Sequence, residues 1–182
     1  MKLLKKLSTI VITLSLFMTT YIGIKAENTD KKAVNSKYAT SMLLNLPLSS
    51  DLQIYVKNLA YNYGIDHRIV YAIMAHESHF NPNAYSTTND YGLMQINGCH
   101  LTKFANLTGS WNMFDPYANV HYGIKLLSDL YQTSYGRNFQ EKTANVLMKY
   151  QYGEGGAIGQ YNQGTYTSEF VSYVLRHMYD YV

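Results

Sequence analysis

Cysteine is almost absent from this sequence. One cysteine, Cys99, occurs among 182 residues, so the chain cannot form an internal disulfide. A protein without disulfides depends on its hydrophobic core, and we expect Cys99 to be a small buried residue rather than a nucleophile. Cys99 also lies far from the N-terminus, which excludes it as a lipid attachment site beside a leader.

An excess of positive charge is also missing once the N-terminus is set aside. The whole chain has 15 lysines and arginines against 12 aspartates and glutamates. Residues 1–26 contain four of the lysines and no acidic residue, which leaves 11 basic and 12 acidic residues, a net charge of −1. The excess of basic over acidic residues therefore comes from the N-terminal targeting segment. We predict no nucleic-acid-binding surface in the rest of the chain.

The sequence lacks motifs for metal or phosphate binding, and it contains no internal repeats. His76 and His79 flank Glu77 and lie three residues apart, whereas the zincin helix places its two histidines four apart. We therefore predict no metal site and expect both histidines at the surface or rim. The glycine-rich segment 153–156 lacks the lysine and the preceding strand of a P-loop.

The N-terminus has the pattern of a secretory signal. Lys2, Lys5 and Lys6 precede an apolar stretch over 7–24, and Ala26 offers a small residue for cleavage. An uncleaved membrane anchor is the alternative, but the serines and threonines in the stretch make it a poor permanent span. We predict a signal peptide over 1–26, a tether or loosely packed segment over 27–50, and one compact domain over 51–182.

The remainder of the chain is typical of a mainly α-helical domain. Gly64 suits the residue after a helix C-terminus, and Asp66 suits the N-cap of the next helix, which should end by Pro82. Helices are predicted over 52–63, from Asp66 through Glu77, and over 118–131, 140–152 and 167–179, with a glycine-rich turn over 153–159.

Glu77 lies on the apolar face of its predicted helix. It follows Ile73 by four residues and Met74 by three, so its side chain should point toward the interior, as theirs do. Burial and the negative end of the helix dipole should both raise its pKa, which would suit a general acid. In the alternative interpretation the carboxylate stays at the rim and pairs with His76, His79 or Arg68.

Several segments together resemble a known family. Residues 77–86 read Glu-Ser-x-Phe-Asn-Pro-x-Ala-x-Ser, residues 92–96 read Gly-Leu-Met-Gln-Ile, and related segments follow at 115–127, 150–153 and 170–175. This pattern is similar to that of the lytic transglycosylases typified by soluble lytic murein transglycosylases. The resemblance spans residues 56–178 and implies a mainly α, lysozyme-like single domain with helices around a glycan-binding cleft.

The chain departs from the family pattern at a few positions. Gln151 and Phe170 replace the usual asparagine and tyrosine, and Tyr166 stands where many members have a glutamate. Gln95 also leads into Asn97-Gly98 rather than the more common proline. None of these changes affects the expected acid.

The resemblance implies a reaction and a set of site residues. Glu77 would protonate the oxygen between N-acetylmuramic acid and N-acetylglucosamine, then accept the proton of the muramic C6 hydroxyl as it attacks C1. A 1,6-anhydro end would result, with no metal or other cofactor. Substrate-binding roles are implied for the matching residues Ser86, Gln95 and Tyr150, and more weakly for Asn97 and Gln151, while Met94 is expected in the core.

Two other functions stay open from the sequence. A muramidase would use water and a second carboxylate such as Asp90, although turn formation also explains Asp90 and helix capping explains Asp115. A non-enzymatic wall-binding protein is the second. We expect the substrate or ligand to be peptidoglycan glycan strands, and we expect a monomer outside the cytoplasm, associated with the cell wall and recruited by a wall or secretion complex.

Overall fold

The mainly helical architecture is confirmed by a computed structural model, which describes residues 43–182. The predicted signal peptide and residues 27–42 of the predicted tether lie outside the described residues. The elements in chain order are α1 Ser50–Asn62, α2 His67–Ser78, β1 Asp90–Tyr91, β2 Ile96–Asn97, α3 Leu101–Thr108, α4 Pro116–Thr133, α5 Phe139–Asn162 and α6 Glu169–His177. A short 3₁₀ turn at Gly98–His100 lies between β2 and α3, and a second at Met178–Asp180 follows α6. Among residues 43–182, every helix is too short or too polar to span a bilayer.

Helix α2 lies at the centre of the core. It packs against α1, against α6 and against the terminal 3₁₀ turn. Six consecutive residues of α2 are at most 1% exposed: Ile69, Val70, Tyr71, Ala72, Ile73 and Met74. A helix segment that is apolar on all sides has to be enclosed by other elements, whereas Glu77 in the last turn of α2 is partly exposed.

Helix starts follow the predicted capping chemistry. The Asp66 side chain accepts a hydrogen bond from the Arg68 N–H, and the Asp115 side chain accepts from the N–H groups of Tyr117 and Ala118. Asp115 is therefore a helix cap, as expected. Gly64 follows Tyr63, the C-cap of α1, with φ of 68°, a conformation that costs glycine little.

Helix α2 ends earlier than Pro82 requires. His79 and Phe80 both adopt left-handed backbone conformations, with φ of 51° and 62°. Their N–H groups both bond to the Met74 carbonyl oxygen, which closes the helix C-terminus. The chain therefore turns away two residues after Glu77, which leaves this carboxyl group in the final turn.

The loop after α2 returns through a small antiparallel ribbon. Strand β1 pairs with β2 so that Asp90 lies opposite Asn97 and Tyr91 lies opposite Ile96. Residues 92–95, here called the Gln95 loop, connect the two strands. Gly92 has φ of 73°, and a Cβ atom there would lie 2.6 Å from the Asn119 side chain, so this position requires glycine.

Buried Asn119 on α4 joins three segments. Its Oδ1 accepts from the Met94 N–H at 2.8 Å, and its Nδ2 donates to the carbonyl oxygens of Tyr91 at 2.8 Å and Met113 at 2.9 Å. Gly123, one turn further along α4, faces Met94, whose sulfur would lie 2.3 Å from an added Cβ atom. The Gln95 loop is thereby held directly against α4.

Some predictions from the sequence are wrong. The predicted helix does break after residue 152, at Gly153 (φ 69°, ψ 168°), but residues 154–162 form a second helical part of α5 instead of the predicted turn. Cys99 is exposed rather than buried, because it lies in the 3₁₀ turn after β2. Helix α3 was not predicted.

The last residues of the predicted tether contact the domain. Leu44, Leu46 and Leu48 pack against the core, and buried Gln53 accepts a hydrogen bond from the Leu44 N–H at 3.0 Å. The Gln53 amide also donates to the Leu48 carbonyl oxygen at 3.1 Å. Residues 44–48 therefore have fixed partners in the domain.

Candidate active site

Glu77 has the environment that its spacing predicts. Its side chain is 24% exposed, and burial raises its pKa from 4.5 to about 7, with a further contribution from the negative charge of Asp90. The predicted rise is therefore confirmed. A carboxyl group with this pKa is protonated in a large fraction of molecules near neutral pH, as a general acid requires.

Glu77 does not pair with a cation in the structure, which was the alternative interpretation. His76 Nδ1 lies 3.7 Å from Glu77 Oε1, which is too long for a hydrogen bond. Burial also lowers the pKa of His76, which favours the neutral ring. Arg68 instead binds Asp66 through its guanidinium group, at 2.6 Å, and His79 is exposed at the end of α2.

His76 lies at the rim, as predicted, but it is partly enclosed by aromatic rings. Its ring centroid is 5.2 Å from that of Phe170 and 5.0 Å from that of Tyr173, both on α6. Its Nδ1 is buried without a hydrogen-bond partner. Phe170, one of the departures from the family pattern, is 1% exposed and belongs to this packing.

Asp90 is held as an anion by three side chains. Ser86 Oγ donates to its Oδ2 at 2.6 Å, Thr88 donates to the same oxygen, and Asn97 Nδ2 donates to its Oδ1 at 2.8 Å. Burial alone would raise the pKa of Asp90, but these hydrogen bonds hold it below its usual value. Near neutral pH, Glu77 is thus protonated in a large fraction of molecules, whereas Asp90 is ionised.

Two of the predicted substrate-binding residues have protein partners in this network. Ser86 and Asn97 were expected to bind substrate, but their side chains are directed at Asp90. Asn97 Nδ2 also donates to the Thr88 carbonyl oxygen at 2.8 Å. Thr88 was not identified from the sequence, although its spacing with Ser86 and Asp90 at alternate positions was a signal that could have found it.

Gln95 and Tyr150 shape the segment beside Glu77. Gln95 has φ of 46°, and its Nε2 donates to the carbonyl oxygens of Ala84 at 3.1 Å and Gly92 at 2.9 Å. Tyr150 Oη donates to the Met94 carbonyl oxygen at 2.8 Å. Met94 itself is fully buried, which confirms that it is a core residue.

Tyr150 is close enough to Glu77 for the negative charge of Glu77 to affect the pKa of the Tyr150 hydroxyl. Burial holds the pKa of the Tyr150 hydroxyl well above 10, and the charge of Glu77 adds to this effect. The Tyr150 ring stacks on Phe170, with centroids 6.2 Å apart and planes 18° apart. Tyr150 is therefore a neutral hydrogen-bond donor, and its hydroxyl hydrogen is already used by Met94.

Gln151 does not belong to the group of side chains around Glu77. Its side chain is exposed and accepts a hydrogen bond from Ser168 Oγ, the N-cap of α6, at 2.6 Å. Adjacent residues of a helix point in directions about 100° apart, so the position of Tyr150 does not place Gln151 beside it. Among residues 43–182, no three side chains of the metal-binding types come together as a metal site.

The chain is similar to several known proteins. The transglycosylase SLT domain family matches residues 54–173. Protein IpgF of Shigella flexneri is 33% identical over 109 residues, which cover 57% of this chain and 60% of that protein. Membrane-bound lytic murein transglycosylase C of Yersinia pestis is 32% identical over 112 residues, which cover 57% of this chain and 31% of that protein.

A solved structure has the same fold. The lytic transglycosylase Slt of Pseudomonas aeruginosa, in an inactive mutant form, superposes with a TM-score of 0.53 at 19% identity. The match covers 69% of this chain and 22% of that chain. The chain thus corresponds to only part of the proteins it matches: about 60% of one curated relative and about a third of the other.

Proposed function

Because the chain belongs to the transglycosylase SLT domain family, we propose that it is a peptidoglycan lytic transglycosylase in which Glu77 is the acid and base. It cleaves the β-1,4 bond between N-acetylmuramic acid and N-acetylglucosamine. The observation that carries the proposal is the pKa of about 7 at Glu77, a partly exposed residue in the last turn of α2, next to the buried middle of that helix.

The proposed reaction needs one carboxyl group in two protonation states. Glu77 donates its proton to the glycosidic oxygen as the bond to C1 breaks, and the N-acetylglucosamine end leaves with a hydroxyl group. The Glu77 carboxylate then takes the proton of the muramic C6 hydroxyl, whose oxygen bonds to C1. The product is a 1,6-anhydro end, no water is consumed, and Glu77 regains its proton.

The fixed surroundings of Glu77 support this role. The Gln95 loop is bonded to α2, α4 and α5 through Ser78, Asn119 and Tyr150, so the groups around the acid keep their positions during the reaction. A preformed site of this kind needs little reorganisation when charge develops. Direct substrate contacts by Ser86, Gln95, Asn97, Tyr150 and Gln151 stay predictions.

Hydrolysis is the second candidate, and one observation favours it. Asp90 is held as an anion within electrostatic reach of Glu77. A protonated and an ionised carboxyl group together form the pair that ordinary glycosidases use. In that case Asp90 would stabilise the cationic sugar or act on a water molecule, and the product would have a reducing muramic end.

Digestion of purified murein tests both candidates. Mass analysis of the soluble fragments should find 1,6-anhydro ends, whereas fragments heavier by one water molecule would identify hydrolysis and overturn the lyase assignment. Glu77→Gln should lower fragment release by at least about a hundredfold. Glu154→Gln is the matched control, since the Glu154 side chain is 67% exposed. Normal digestion by Glu77→Gln would contradict the proposal.

We further propose that the protein acts outside the cytoplasm on the glycan strands of the wall. The N-terminal pattern of the sequence supports this location, as does the name of the Yersinia pestis relative, which describes a membrane-bound murein enzyme. Recruitment by a wall-associated or secretion complex and a monomeric state stay predictions.

A further inference from the structure

A second concave surface lies on the β-ribbon, apart from the candidate active site. It is a cavity of about 340 Å³, within the size range of about 300–1,000 Å³ typical of small-ligand sites. We call it the Trp111 cavity. Its wall includes Asn89, Tyr91, Leu101, Trp111, Met113 and Phe114. Neither Glu77 nor any predicted substrate-binding residue lines it.

The Trp111 cavity and Glu77 lie on opposite faces of strand β1. Asp90 interacts electrostatically with Glu77, whereas its neighbour Tyr91 lines the cavity. Side chains of adjacent strand residues point to opposite faces. A ligand in the cavity therefore lies on the opposite side of the ribbon from the glycosidic bond that Glu77 would cleave.

The cavity belongs to a run of aromatic rings. Tyr85 and Tyr91 have ring centroids 5.0 Å apart, and those of Tyr91 and Phe114 are 5.2 Å apart. Trp111, the single tryptophan of the chain, is 69% exposed, and Tyr85 is 60% exposed. Tyr91 and Phe114 are half-buried, so the surface combines exposed and half-buried aromatic rings, which is typical of a binding surface.

The wall of the cavity is fixed before any ligand binds. Asn119 bonds to the carbonyl oxygens of both Tyr91 and Met113, which joins two sides of the cavity to α4. Tyr91 Oη donates to Asn89 Oδ1 at 2.6 Å, which fixes the ring on a third side. A rigid surface loses little conformational entropy on binding.

The chemistry of the lining selects the ligand. Every lining side chain is uncharged, so neither a phosphate group nor a nucleic acid is attracted. Flat rings stack on the apolar face of a sugar, and the amides of Asn89 and Asn112 can bond to hydroxyl and acetamido groups. We propose that the Trp111 cavity binds an N-acetylated sugar of a second glycan strand, beside the strand being cut. This inference rests on the proposed function for the choice of peptidoglycan.

The single tryptophan allows a direct test. The full chain carrying Glu77→Gln is titrated with soluble murein glycan strands from which the stem peptides have been removed. Because Trp111 is the only tryptophan, its emission should shift to shorter wavelength and saturate as a sugar covers the ring. Binding of the glycan without any change in emission would overturn the proposal, and so would the same shift with the free stem peptide.

Variants provide a second measurement. In the Glu77→Gln background, Trp111→Ala should weaken retention on insoluble murein about threefold to tenfold, the loss expected for one stacking contact. Trp111→Phe should restore most of it. Tyr61→Ala is the control, since Tyr61 is 85% exposed on α1 and does not line the cavity. Unchanged retention by Trp111→Ala would contradict the proposal.

The two proposals fail in different ways. If the protein with Glu77 intact releases no fragments, but glycan still shifts the emission of the Glu77→Gln form, the enzyme assignment is wrong and the sugar site stands. If fragments are released while the emission stays constant, the enzyme assignment stands and the sugar site is wrong.

Discussion

The hydroxyl of Ser78 donates a hydrogen bond of 2.8 Å to the carbonyl oxygen of Leu93. Ser78 is the residue after Glu77 and the last residue of α2, and Leu93 begins the apolar part of the Gln95 loop. This bond joins the acid-bearing end of α2 to the loop, and the bond from Tyr150 to Met94 joins the loop to α5. The position of the carboxyl group and the shape of the site are therefore fixed by the same contacts.

Activity should depend on pH through Glu77. Since the acid has to be protonated, turnover should fall as the pH rises through about 7. Asp90→Asn removes a negative charge that raises the pKa of Glu77, so the alkaline limb should move to lower pH. Initial rates of fragment release across pH, with Asp129→Asn as an exposed control, measure this.

The same variant separates the two candidate reactions. A lytic transglycosylase should keep turnover when Asp90 becomes asparagine, whereas a hydrolase that uses this carboxylate should lose most of it. An alkaline limb that does not move in an active Asp90→Asn variant would show that the two carboxyl groups do not interact.

Glu77 should lower the stability of the protein at alkaline pH. Its pKa is about 7 when folded and about 4.5 when unfolded, so its contribution to folding is complete below pH 4.5 and is lost as the pH rises to 7. Glu77→Gln should therefore raise the free energy of unfolding by about 2–3 kcal/mol near pH 8 and have little effect near pH 4. Urea unfolding at both pH values measures the difference; equal effects would contradict it.

Tyr150 should act by positioning the Gln95 loop. Tyr150→Phe removes the hydrogen bond to the Met94 carbonyl oxygen and keeps the stacked ring, so we expect a loss of about 1 kcal/mol in stability. Turnover should fall about tenfold, the rate equivalent of 1.4 kcal/mol, with little change in KM and in the pH limb. Tyr152→Phe, two residues along α5 and exposed, is the control. A rise in KM alone would indicate a direct substrate contact instead.

Asn119 should be among the residues most costly to replace outside the apolar core. Asn119→Ala removes three hydrogen bonds and leaves the Met94 N–H and two carbonyl oxygens without this partner in a buried region. We expect a loss of about 2–4 kcal/mol in urea unfolding, against little change for Asn58→Ala on the exposed face of α1. A loss below about 1 kcal/mol would show that the three segments are held together without it.

The acid and its helix could be predicted from the sequence because both depend on local rules. The spacing of Ile73, Met74 and Glu77 fixes a helical face, and the caps at Asp66 and Asp115 accept hydrogen bonds from residues two or three positions away. The burial that raises the pKa of Glu77 follows from that face.

The network around Asp90 could not be predicted in the same way. Asn97 reaches Asp90 because β1 and β2 pair in one register, and strands of two residues contain no period from which a register can be derived. Ser86 does not depend on that register: its assignment to substrate came from the family resemblance, although its spacing with Thr88 and Asp90 was a local signal for this network.

The glycines after Gly153 were misread for a different reason. Glycine disfavours a helix by only about 1 kcal/mol per residue, and packing can outweigh that preference. Ala157 is fully buried and Tyr161 packs against the core, so α5 resumes after one non-helical residue.

The close approach of Gly123 and Met94 has an evolutionary consequence. A side chain at position 123 would occupy the space of the Met94 thioether, and Met94 is fully enclosed and has no room to move aside. Among related sequences the two positions should therefore covary, with a bulkier residue at 123 accompanied by a shorter one at 94. A homologue with large residues at both would have to hold its Gln95 loop further from α4, with a wider gap beside the acid.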